Sequence, residues 1–141
     1  MSTPTTPKPP ITCHILDTTL GRPAPSIPVT LTLHNPSSTT STTTPLKFTS
    51  TTNTDGRVTA WEPATPFSSL TLHDAYAAQE GDASFSLTFD TGAYFHQRGI
   101  AAFFPEVVVR FLVREAERKA GEHFHVPVLV GPFGYTTYRG S

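Results

Sequence analysis

The side chains of this sequence that could carry chemistry are His14, Arg57, His123, His125, Tyr138, Arg139 and Ser141. Histidine accepts a proton near neutrality. Arginine presents a planar, permanently charged fork of donors suited to the oxygens of a flat ligand. Tyrosine and serine hydroxyls both donate and accept. Such a set would bind a small, oxygen-rich planar molecule and activate a water against it. A nucleophile does not accompany them: Cys13 adjoins His14, but adjacent strand residues point to opposite faces. His123 and His125 stand two residues apart, a spacing that also suits a metal, yet the ligand set is not completed locally. Each residue has a plainer alternative, since a lone strand histidine is usually a hydrogen-bonded, partly buried group, and the arginine of an Asp-Gly-Arg turn is usually solvated.

The elements that must position these residues are strands. ITCHILD (11–17) alternates with period two, placing Ile11, Cys13 and Ile15 on one face and Thr12, His14 and Leu16 on the other. IPVTLTLHN predicts a second strand with Val29, Leu31 and Leu33 inward, and LKFTSTTN a weaker third. Asp55-Gly56 supplies the positive-φ preference of a tight hairpin ahead of Arg57. SLTLHDAYAAQEG is ambiguous between strand and helix. SFSLTFD turns Phe85, Leu87 and Phe89 inward, and GAYFHQRG predicts a short helix between glycines. In FFPEVVVRFLVREAE, Val107, Val109, Phe111 and Val113 share a face; the REAERKA end also has helical character. HFHVPVLVGP is a further strand in which Pro127 marks an edge or a bulge, and YTTYRGS is the last. Seven or eight strands, turn signals between them and one short helix predict an all-β sandwich of two sheets.

At 141 residues the chain suits one domain, expected over 11–141. Residues 1–10, with four prolines, are expected to form a disordered tail, and the Thr/Ser-rich 36–45 stretch a surface loop. A net charge of −1 and the lack of a polybasic cluster argue against nucleic acid and membrane surfaces. The N-terminal residues carry no secretory pattern, and Arg139-Gly140-Ser141 is not a Ser-Lys-Leu address. With a single cysteine besides, the expectation is a cytoplasmic protein, with peroxisomal import left open.

ITCHILDTTLGRPA, TNTDGR, FFPEVVV and HFHVPVLVGPFGYTTYRGS, in that order, resemble the 5-hydroxyisourate hydrolases, the transthyretin-related enzymes of urate breakdown. The resemblance runs from Ile11 to Ser141, and Tyr-Arg-Gly-Ser is its most specific element. It implies a transthyretin-like sandwich of eight strands with one short helix. It also implies a homotetramer, a dimer of dimers with sites in the clefts between dimers. The reaction implied is hydrolysis of a cyclic amide of 5-hydroxyisourate to 2-oxo-4-hydroxy-4-carboxy-5-ureidoimidazoline, with no metal or organic cofactor. The catalytic residues implied are His14, Arg57, His125 and Ser141. The substrate contacts implied are His14, Arg57, Tyr138 and Arg139, with Arg139 either binding substrate or bracing the C-terminal segment. His125, which directly precedes Val-Pro, is the histidine that matches; His123 lies outside the motif. The alternatives are a non-enzymatic small-ligand carrier on the same fold, as transthyretin is, and a structural or metal-binding protein using His123 and His125.

Overall fold

The computed structural model describes residues 8–37, 44–65 and 67–141, so parts of the expected tail and of the 36–45 loop lie outside the described residues. Among the described residues, ten strands form two sheets. The first is ordered β10(Tyr135–Thr137), β9(Phe124–Val130), β1(Ile11–Asp17), β2(Arg22–Pro23), with β5(Arg57–Val58) also pairing with β1. The second is ordered β6(Glu62–Pro63), β4(Leu46–Thr51), β3(Pro28–Leu33), β7(Ala83–Phe89), β8(Val107–Val113).

The two inner faces make the core because the strands alternate as the sequence requires. Ile11, Cys13 and Ile15 of β1 meet Val29, Leu31 and Leu33 of β3 and Phe85, Leu87 and Phe89 of β7, all buried. Each large apolar side chain removed from water in this way contributes about 1.5–3 kcal/mol. Cys13 belongs to this layer, and burial pushes its thiol up to about 12. Val107 and Val113 close the β8 end.

Among the described residues, three short helices stand where one was expected. α2(Thr91–His96) is the helix predicted between the glycines; it buries Tyr94 and Phe95. The ambiguous segment forms α1(Leu72–Ala77), where Thr71 caps the Asp74 N–H at 3.1 Å and Leu72 and Ala75 are buried three residues apart. α3(Glu115–Lys119) takes the REAERKA end, with a Lys119–Glu115 ion pair one turn apart.

A buried anchor joins α2 to the end of β1. The Tyr94 hydroxyl donates to Asp17 Oδ2 at 2.7 Å, while the Thr19 N–H and hydroxyl donate to Oδ1. Burial alone would raise the Asp17 carboxyl, but these hydrogen bonds outweigh it and hold its pKa below the ordinary value. Burial and the hydrogen bond to Asp17 push the Tyr94 phenol up to about 12.

Two turn expectations are corrected. Asp55-Gly56 does not close a hairpin between paired strands. The Asn53 N–H bonds the Arg57 carbonyl and the Asn53 side chain caps Asp55 and Arg57, but the chain then leaves the second sheet for the first, where β5 pairs with β1. The positive φ at Gly56 does hold, at 71°. Pro127 marks neither an edge nor a bulge. β9 lies between β1 and β10 in continuous register, and Pro127 merely leaves a gap in the β10 ladder because it has no N–H.

A Cβ at Gly56 would lie 2.4 Å from the Ile15 carbonyl oxygen, in addition to the strain of its positive φ. Gly56→Ala should therefore destabilise the fold by about 1–3 kcal/mol or more and displace Arg57. An unchanged denaturation midpoint would contradict this role for the turn.

Candidate active site

The site grows out of three strand registers on the outer face of the first sheet. β1 and β9 run parallel, pairing Thr12 with His125 and His14 with Pro127. β5 pairs antiparallel with β1, setting Arg57 opposite His14. Paired residues share a face. The alternation that sends Ile11, Cys13 and Ile15 inward therefore gathers Thr12, His14, Arg57 and His125 outward.

Thr12, which sequence reasoning passed over, is the hub. Its Oγ1 lies 2.8 Å from His123 Nε2 and 2.8 Å from His125 Nδ1. The signal that could have found it is its place two residues before His14 on the same strand face. His14 is half-buried beside the Asp-Gly-Arg turn, whose Arg57 opposes its protonation and whose Asp55 favours it.

The electrostatics follow from crowding cationic groups on one face. Burial, then the Arg57 guanidinium, hold His14 below its ordinary pKa. Burial lowers His125 most, followed by Arg57, His123, His14 and Lys8. Burial and Lys8 lower His123. All three imidazoles are thus neutral bases at neutral pH, beside an arginine that stays charged.

The C-terminal segment continues the β10 edge of the same sheet alongside His125. Beyond the Pro127 gap pairing resumes at Gly140, whose N–H donates to the His125 carbonyl at 2.8 Å. A Cβ at Gly140 would meet the His125 ring at 3.0 Å and Pro127 at 2.9 Å, so only glycine lets the backbone lie this close. Tyr138 and Ser141 are exposed on either side of that contact.

Arg139 is directed elsewhere. Its guanidinium bonds Glu117 at 2.6 Å, lies 3.5 Å from Glu122 and covers the Phe124 ring at 4.7 Å. In this chain it braces the C-terminal segment against α3 and is not brought together with His14 and Arg57. A cavity of about 220 Å³ opens beside it, with apolar walls from Val109, Phe111, Phe124 and Val126. Among the described residues no three His, Cys, Asp or Glu side chains gather as a metal site, and no helix is long and apolar enough to cross a membrane.

A two-sheet sandwich with a histidine–arginine cluster on one outer face, bordered at His125 by its own C-terminal segment, defines a small-molecule binding or hydrolytic protein of transthyretin type. Residues 11–140 match the HIUase/Transthyretin family, and the chain belongs to it. It is similar to a probable 5-hydroxyisourate hydrolase of Schizosaccharomyces pombe, 38% identical over 94% of this chain and 92% of the relative. It is also similar to the 5-hydroxyisourate hydrolase of Mus musculus, 37% identical over 94% and 95%. Among solved structures, the 5-hydroxyisourate hydrolase of Klebsiella pneumoniae superposes with a TM-score of 0.64 at 29% identity, covering 93% of this chain and 97% of that one. Transthyretin from Sparus aurata superposes at 0.68 with 22% identity, covering 94% and 97%, a likeness of fold alone.

Nuclear magnetic resonance titration of the ring signals should place the midpoints of His14, His123 and His125 below the ordinary 6.5. Their folded-state values lie under the unfolded ones, so the stability they contribute is complete above pH 6.5 and declines as the pH falls through the lowered values. Midpoints at or above 6.5 would contradict the crowded, part-buried cluster.

Proposed function

We propose that this protein hydrolyses 5-hydroxyisourate, opening its six-membered ring at a cyclic amide to give 2-oxo-4-hydroxy-4-carboxy-5-ureidoimidazoline in urate degradation. The observation that carries this reading is the outer-face cluster, in which neutral His14 and His125 stand with charged Arg57 and the Gly140 backbone borders His125. Its support from similarity is that relatives named 5-hydroxyisourate hydrolase are 36–38% identical over nearly the whole chain, whereas the transthyretin likeness is one of fold alone. A carrier for an apolar ligand would have little use for three imidazoles and a guanidinium.

The roles follow from the chemistry of each group. His125 takes a proton from water at Nε2, the ring nitrogen left free by Thr12, and His14 orients that water. The resulting hydroxide attacks the amide carbonyl carbon. Arg57 holds the substrate's oxygens and stabilises the charge on the tetrahedral intermediate. The carbon–nitrogen bond then breaks, and the ring nitrogen leaves with the proton. Stabilisation of the oxyanion by one donor is worth roughly 3 kcal/mol, and a positioned general base adds about a hundredfold or more. Tyr138 and Ser141 supply hydroxyls to the substrate or its water. Arg139 acts through its hold on the C-terminal segment.

The assembly we propose is a homotetramer, a dimer of dimers with the outer face of the first sheet in the cleft between dimers. Edge strands β8 and β10 leave Val108, Leu112 and Tyr135 exposed, and unpaired edges of this kind suit continuation into a second copy.

The test is the ultraviolet absorbance decay of 5-hydroxyisourate generated in place from urate by urate oxidase. Decay should accelerate in proportion to protein concentration. His125→Ala and Arg57→Ala should each lower kcat by about a hundredfold or more while sedimentation still reports a tetramer. Decay at the spontaneous rate from well-folded protein would refute the hydrolase reading, and near-full activity in either variant would refute that residue's role.

A further inference from the structure

The last four residues have little to hold them. β10 ends at Thr137, and Tyr138 falls opposite Pro127, which has no N–H for a ladder. A chain end of this kind frays unless it is tied down. One tie is the Gly140 N–H, which donates to the His125 carbonyl at 2.8 Å. The other is the Arg139 side chain. Its guanidinium meets Glu117 at 2.6 Å and Glu122 at 3.5 Å, and lies 4.7 Å from the centre of the Phe124 ring. Both ties land on one stretch of chain. Glu117, Glu122 and Phe124 take Arg139, and the next residue, His125, takes Gly140.

That stretch is itself fastened down. The Glu115 N–H donates to Asp82 Oδ1 at 2.9 Å, and Arg118 donates to the Gly81 carbonyl at 2.7 Å, so α3 is pinned to the turn before β7. The Glu122 N–H donates to the Glu117 carbonyl at 3.1 Å, which keeps the two carboxylates together. Phe124 is buried. A lone exposed ion pair contributes little. Here the Glu117 side chain is only 26% exposed, and two carboxylates and a ring share one guanidinium. We infer that Glu117 and Glu122 are positioning residues of the site: by gripping Arg139 they hold Gly140 against His125 and keep Tyr138 and Ser141 in reach of substrate. The grip is independent of the reaction; its effect on turnover rests on the hydrolase reading.

The test removes both carboxylates, as Glu117→Ala with Glu122→Ala, in the full chain. Alanine favours the helix, and α3 keeps its hold on Asp82. Amide hydrogen exchange of the C-terminal peptide should quicken about tenfold at Gly140, while the denaturation midpoint stays at the wild-type value. On 5-hydroxyisourate kcat should fall about tenfold, with KM little changed because Arg57 still holds the substrate. Arg139→Ala should lose as much protection and as much kcat, and the triple variant no more than either, since all three changes release one grip. Wild-type exchange in the double variant overturns the inference, as does quickened exchange with wild-type kcat. An Arg139→Ala loss far beyond that of the double variant also overturns it, because the guanidinium would then act on the substrate itself. A wild-type protein inactive on 5-hydroxyisourate, whose double variant still exchanges faster at Gly140, supports the grip and counts against the substrate alone.

Discussion

The parallel ladder between β1 and β9 is the constraint on which the rest of the site depends. It is the one parallel pairing among the described strands, and it joins segments more than a hundred residues apart in the chain. Its register puts Thr12 beside His125 and His14 beside Pro127. A slip of one residue would turn the whole outward set into the core. The same ladder is secured from inside by Ile11, Cys13 and Ile15 against Val126 and Val128, so the packing that holds the sandwich together also sets the distances on its polar face. Fold stability and site geometry are here one interaction viewed from two sides of a sheet.

Charge is the second consequence of that register. Three imidazoles, a guanidinium and Lys8 crowd one face. Such a face does not tolerate further positive charge, and the histidines respond by staying neutral. Neutral imidazoles are proton acceptors, which is what the proposed hydrolysis asks of them. Arg57 is the fixed cation that the proposed mechanism sets against an oxyanion. Arg139, on the C-terminal segment, is drawn off to Glu117 and Glu122, which fastens the segment to α3.

Much of the fold was legible because period-two alternation is a local signal. The inward faces of β1, β3, β7 and β8 were read residue by residue, and α2 falls at the expected GAYFHQRG segment, although it starts at Thr91 and takes Gly92 into its first turn. His14, Arg57 and His125 were recognisable as residue types and by resemblance to the family. What stayed hidden was non-local. The chain crosses from the second sheet to the first before β5, so Asp55-Gly56 looked like a hairpin when only its backbone twist was encoded locally. Pro127 looked like an edge because it has no N–H for a ladder, yet the C-terminal segment pairs with β9 on both sides of it. Thr12 drew no notice because its importance lies in two histidines from β9. The direction of Arg139 depends on Glu117 and Glu122, which no sequence spacing links to it. α1 and α3 are too short for a clear helical period.

The central claim is that the C-terminal segment completes the site by lying on His125, and the measurement that tests it most directly is the turnover of Gly140→Ala on 5-hydroxyisourate. The added methyl would press on the His125 ring and Pro127 while leaving the β1–β9 ladder intact. The account predicts that kcat falls by tenfold or more, with the circular dichroism of the sandwich unchanged, about the loss expected when a general base is misplaced. Wild-type turnover in that variant would mean that the close approach of Gly140 to His125 plays no part in catalysis.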